Sequence, residues 1–131
     1  MGEAKRILVI DDDPDFLDFC QIVLASQGYA VETATTASQG LQAMRGRPPA
    51  LVLADVMMSY VLDGYTISRE MLADPILCSI PIVMVSAIVS LKDHDLFPAA
   101  ERERISGFMS KPVDPAALLR TVAELTRERG G

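Results

Sequence analysis

Short apolar runs alternate along the chain with segments whose apolar residues recur every three or four positions. Ile7-Leu8-Val9-Ile10 is a continuous run rich in β-branched residues, the pattern of a strand buried on both faces. Asp13-Pro14 then supplies an N-cap and a first-turn proline. Phe16, Phe19, Cys20 and Val23 follow at helical spacing, and Gly28 closes that helix. Val31-Glu32-Thr33 alternates as an edge strand does. Thr36-Ala37-Ser38-Gln39 fits a capping box, Leu41 and Met44 give its helix an apolar face, and Gly46 and Pro48-Pro49 end it. Leu51-Val52-Leu53 is a third strand. Asp63-Gly64 turns into a helix running through Met71 and Leu72, and Pro81-Ile82-Val83-Met84-Val85 is a fourth strand. Residues 92–105 are charged and weakly amphipathic and are read as a helix. Gly107-Phe108-Met109 is a short fifth strand. Asp114-Pro115 caps a last helix carrying Leu118, Leu119, Val122 and Leu125.

Five strands, each followed by a helix, predict an α/β domain with a parallel sheet and helices on both faces. Right-handed crossovers restrict its topology. With 131 residues, half of them hydrophobic, the chain is expected to form a single domain over 1–131, its core about 5–127. No apolar run is long enough to span a membrane and no signal peptide is read, so a cytoplasmic setting is expected. The net charge of −6, from 18 acids and 12 bases, argues against a nucleic-acid partner. Cys20 and Cys78 lie in apolar surroundings and are read as buried, reduced thiols. With one histidine, His94, read as a surface residue, there is no zinc-type cluster.

Open parallel sheets bind ligands beyond the carboxyl ends of their strands. Just past the predicted strands lie Asp11 and Asp12, then Asp55, Ser86 and Lys111. Three carboxylates in one pocket repel one another unless a cation joins them. Hard oxygen ligands with open positions suit Mg²⁺, which accepts a phosphate as co-ligand. A carboxylate beside such an ion is a competent nucleophile toward phosphorus, and a hydroxyl and an ammonium can hold the phosphoryl oxygens. Asp13 and Asp15 are read as helix-end acids rather than ligands.

The segments Ile7-Leu8-Val9-Ile10-Asp11-Asp12-Asp13-Pro14, Leu51-Val52-Leu53-Ala54-Asp55-Val56-Met57-Met58, Asp63-Gly64-Tyr65, Pro81-Ile82-Val83-Met84-Val85-Ser86-Ala87 and Ser110-Lys111-Pro112, in this order, resemble a response-regulator receiver domain of two-component signalling. The resemblance covers about residues 5–127. It implies the CheY-like (flavodoxin-like) fold, a five-stranded parallel sheet of order 2-1-3-4-5. It implies that Asp55 is the phosphoacceptor and that Mg²⁺ is held by Asp12, by Asp11 mainly through water, by Asp55 and by the backbone carbonyl of Met57. Ser86 takes the place of the switch hydroxyl, Lys111 that of the phosphoryl-contacting lysine, and Phe108 that of the rotating aromatic. The domain is then a phosphorylation-controlled signalling module rather than an enzyme. Its implied partners are a sensor histidine kinase or histidine phosphotransfer protein and a downstream protein target. A homodimer could form through the face made by the helix at 92–105, the last strand and the last helix. Only Thr126-Arg127-Glu128-Arg129-Gly130-Gly131 follow that helix, so a stand-alone receiver is expected.

The chain departs from the family pattern in three places. Ser59-Tyr60-Val61-Leu62 makes the loop after Asp55 one residue longer and without proline. The stretch from Ser86 to Lys111 is long, and Pro98 within it implies a helix that is displaced, shortened or irregular. Phe108 lacks the hydroxyl of the commoner tyrosine. Met57 and Ile88, the neighbours that tune phosphoryl lifetime, are both apolar, which implies slow self-dephosphorylation. The two unusual loops keep open a second reading, a phosphorylation-independent interaction or dimerisation module. A dehalogenase-like phosphohydrolase is disfavoured, because Asp11-Asp12-Asp13-Pro14-Asp15 lacks the required threonine.

Overall fold

Successive residues of β1 (Arg6–Ile10) point to opposite faces of the sheet, and each face meets its own core. Leu8 and Ile10 pack with Leu41, Met44, Ile67 and Met71; Ile7 and Val9 pack with Phe16, Leu17, Cys20, Leu24, Leu118 and Val122. The computed structural model describes residues 5–55, 63–86, 106–110 and 112–126. Around β1 they form α1 (Pro14–Ala25), β2 (Ala30–Ala34), α2 (Ala37–Gly46), β3 (Leu51–Asp55), α3 (Asp63–Ala73), a 3₁₀ turn (Leu77–Ser79), β4 (Ile82–Ser86), β5 (Gly107–Ser110) and α4 (Pro115–Thr126). The helix expected over 92–105 and the loops at 59–62 and 88–98 lie outside the described residues.

The sheet has five strands in the order β2-β1-β3-β4-β5, and every neighbouring pair is parallel. This is the order the resemblance implies. Helices α2 and α3 cover one face, α1 and α4 the other. β3 is buried at all five positions, as an inner strand of a two-sided sheet must be. β2 forms one edge, as expected, but without strict alternation: Ala30 and Thr33 are exposed, Val31 and Glu32 half-buried and Ala34 buried.

The expected caps are in place. Asp13 accepts from the Asp15 N–H at the head of α1, ahead of Pro14 in the first turn. Thr36 accepts from the Gln39 N–H at the head of α2, though the Gln39 side chain accepts from Thr35 rather than from the Thr36 N–H, so the expected capping box is shifted by one residue. Gly28, at φ 88°, ends α1: its N–H donates to the Ala25 carbonyl, and the Tyr29 N–H to that of Leu24. That pair of bonds is a Schellman motif.

Two expectations change, for Cys78 and for Pro81. Cys20 is fully buried, but Cys78 is exposed. Cys78 sits in the 3₁₀ turn, where the tight winding lets Leu77 take the inward position instead. Leu72, within the helix expected through Met71 and Leu72, is 40% exposed, while Ile67 and Met71 carry the burial. Pro81 precedes the fourth strand rather than opening it, and its carbonyl accepts from the Val52 N–H.

Gly28→Ala isolates the cost of the turn, because a Cβ there would meet no atom within 4 Å. Forcing an L side chain into this left-handed conformation is expected to remove about 1–2 kcal/mol of stability. Urea unfolding should show a lower midpoint with an unchanged slope.

Candidate functional site

The strand order reverses between β1 and β3, which opens a crevice at their carboxyl ends. The register brings two acids to that crevice. Ile10 pairs with Ala54, so Asp11 and Asp55, the next residues, stand level across the β1–β3 seam. Asp55 pairs in turn with Val85, and Ser86 with Ser110. Ser86 and the approach to Lys111 therefore reach the same end of the sheet.

Asp11 is fully buried and is held by its own backbone surroundings. Its N–H donates to the Ala34 carbonyl at 3.0 Å, extending the β1–β2 pairing by one residue. Its Oδ1 accepts from the Asp13 N–H at 2.9 Å. This i to i+2 bond is an Asx turn that runs straight into the head of α1. Asp12, between them, is exposed, and Asp55 is 6% exposed. One carboxylate oxygen from each of Asp11, Asp12 and Asp55 lies within 4.8 Å of the others. It is the one such group of possible metal ligands among the described residues.

Two like unit charges about 5 Å apart repel by about 3 kcal/mol at an effective dielectric near 20. The Asp13 N–H and the amino end of α1 offset part of this for Asp11. A small divalent cation offsets more. The donor set fits Mg²⁺: every candidate ligand is a carboxylate oxygen, and the exposure of Asp12 leaves room for the waters that Mg²⁺ keeps.

The structure thus brings together Asp11, Asp12 and Asp55. It places the backbone of Ser86 at the end of β4 and of Phe108 within β5, level with Met84. Met57 and Lys111 lie outside the described residues. The sequence reading gave Asp13 to the helix cap alone. Its backbone N–H is also a positioning group for Asp11, a role signalled by an acid two residues ahead of the cap. Among the described residues, no helix is long and apolar enough to cross a membrane.

Comparison with known proteins gives the same assignment. The response regulator receiver domain family matches residues 7–123. Over 118 residues the chain is 30% identical to protein PilH of Pseudomonas aeruginosa, spanning 89% of this chain and 93% of that one. It is 30% identical over 120 residues to the transcriptional regulatory protein GlrR of Escherichia coli, of whose length it spans 26%. The crystal structure of a CheY-like response regulator receiver domain protein from Methanospirillum hungatei superposes with a TM-score of 0.82 at 28% identity, covering 98% of each chain. The family match runs from β1 into α4 and takes in every strand end described above, so the chain belongs to the response regulator receiver domain family of two-component signalling.

Proposed function

We propose that this chain is the phosphoacceptor of a two-component phosphorelay, with Asp55 receiving the phosphoryl group of a partner's phosphohistidine. The observation that carries this is the placement of Asp55, a buried carboxylate level with Asp11 at the sheet crevice and clustered with Asp11 and Asp12. A carboxylate oxygen of Asp55 attacks phosphorus. The new O–P bond forms as the P–N bond breaks, and its electron pair returns to the imidazole nitrogen. Mg²⁺, when bound, supplies positive charge that offsets the carboxylates and the phosphoryl oxygens. Its ligands in this reading are Asp12, Asp55, the Met57 carbonyl and, through water, Asp11. Ser86 and Lys111 take the phosphoryl oxygens.

Phosphorylation then acts as a population shift. Phosphate favours whichever state it contacts more strongly, and Ser86 and Phe108 carry that preference to the surface around β5 and α4. A downstream protein reads that surface. In this reading the receiver takes up the whole chain, 1–131.

Intact-protein mass spectrometry after incubation with acetyl phosphate tests the chemistry. Wild type with Mg²⁺ should gain one phosphoryl group, and Asp55→Asn or metal chelation should abolish the gain. If wild type gains none from acetyl phosphate or from histidine kinases while remaining folded, the proposal fails.

Metal binding has its own signature in stability. At a Mg²⁺ concentration ten times the dissociation constant, the folded state should gain about 1.4 kcal/mol. Asp12→Asn should lose most of that gain in urea titrations. With metal chelated it should be at least as stable as wild type, because it relieves repulsion in the cluster.

Apolar Met57 and Ile88 cannot orient an attacking water, so the phosphorylated protein should decay over minutes or longer. Decay within seconds, followed by loss of the mass adduct, would refute this. Met57→Asn should shorten the lifetime.

A further inference from the structure

We propose that Gly40 is a positioning residue for the carboxylate cluster: by lacking a side chain it lets α2 rest directly on Ile10 and so sets where Asp11 stands. This rests on reading the cluster as the Mg²⁺ site. A Cβ at position 40 would lie 2.8 Å from Ile10 Cγ1, 3.5 Å from Cγ2, and nearer still to Cδ1. All three atoms belong to the Ile10 side chain, so Ile10 or the helix must shift. Ile10 is fully buried in the core that holds Leu8, Leu41, Met44 and Met84, and its backbone is paired to Ala34 on one side and Ala54 on the other.

The helix cannot back away easily either. Its first turn is tied to the same strand ends. Gln39 Oε1 accepts from the Thr35 N–H at 3.0 Å and from the Thr35 hydroxyl at 2.9 Å. Thr36 Oγ1 accepts from the Gln39 N–H, and the adjacent Ala34 carbonyl accepts from the Asp11 N–H. The Ile10–Asp11 segment is therefore held twice, by the Ala34 carbonyl at the end of β2 and by the close packing of α2 on Ile10. Helix formation does not account for the glycine. A glycine inside a helix costs stability relative to alanine, and among the described residues the positive-φ glycine is Gly28, not Gly40. A methyl group at position 40 must displace Ile10, and Asp11 is the next residue along the chain.

The test compares wild type, Gly40→Ala, Ile10→Val, the double variant and Gly28→Ala. Gly28→Ala is a control for lost stability at the opposite end of α1. Mg²⁺ affinity is read by titration calorimetry. The Asp11 and Asp13 amides of the metal-free protein are read by NMR, since the Asp13 N–H reports on Asp11 Oδ1. Gly40→Ala should weaken Mg²⁺ binding about three- to tenfold and shift the Asp13 amide. Ile10→Val, which removes Cδ1 and frees the remaining methyls to turn, should return both to wild type in the double variant. Gly28→Ala should leave both unchanged. If Gly40→Ala folds poorly, sucrose restores the compact state without altering the contact.

The proposal is overturned if Gly40→Ala loses stability yet keeps wild-type Mg²⁺ affinity and an unmoved Asp13 amide. It is also overturned if Ile10→Val fails to rescue. Absence of Mg²⁺ binding in wild type would instead refute the metal reading. The Asp13 amide would then still decide whether Gly40 sets Asp11.

Discussion

β1 has no solvent face. Ile7, Leu8, Val9 and Ile10 are each at most 1% exposed, and they divide between the two cores in strict alternation. Shifting this strand by one residue would exchange the sets and break both cores at once. Burying four such side chains contributes on the order of 1.5–3 kcal/mol each, more than any exposed ion pair here can offer. The register with β2 and β3 is fixed by that burial, and the register decides that Asp11 and Asp55 stand level. The position of the chemistry is thus a consequence of apolar packing.

Packing also makes the cluster tolerable. Carboxylates this close repel one another, and a pliable scaffold would relax by moving them apart. Asp11 cannot move apart. Its N–H is committed to Ala34, its Oδ1 to the Asp13 N–H, and the strand before it is clamped from both sides. The repulsion is therefore retained as attraction for a cation.

Much of this is legible in the sequence, because one pattern serves two purposes. The run Ile7 to Ile10 announces a two-sided strand, and the acids immediately after it fall at the strand end, where open sheets bind ligands. Caps at Asp13, Thr36 and Gly28 follow from local chemistry and form as expected. What periodicity cannot show is choice among near neighbours in tight turns. Cys78 and Leu77 are both apolar, and only the 3₁₀ winding decides that Leu77 goes inward. Nor does it show pairwise fit. Gly40 in a helix reads as a weak helix former until Ile10 is seen beneath it.

The same strand carries an electrostatic polarity that ties its two ends to the helices. Lys5 Nζ donates to the carbonyl of Thr126, the last residue of α4, at 2.8 Å. Arg6 donates to the Arg47 carbonyl just past α2 at 2.6 Å and pairs with Glu32. Cations at the amino end of β1 thus meet helix carboxyl ends, where carbonyls are left over. The acids at its carboxyl end meet the amino end of α1, where N–H groups are left over. In a parallel α/β sheet every helix runs against its strand, so Lys5-Arg6 at the head of the strand and Asp11-Asp12 after it each face a compensating partial charge. Reversing the two pairs would leave the apolar pattern intact yet set each charge against its own sign. The order of charges around β1 therefore constrains the fold as the alternation within it does, and the amino end of α1 offsets part of the repulsion that Asp11 brings to the site.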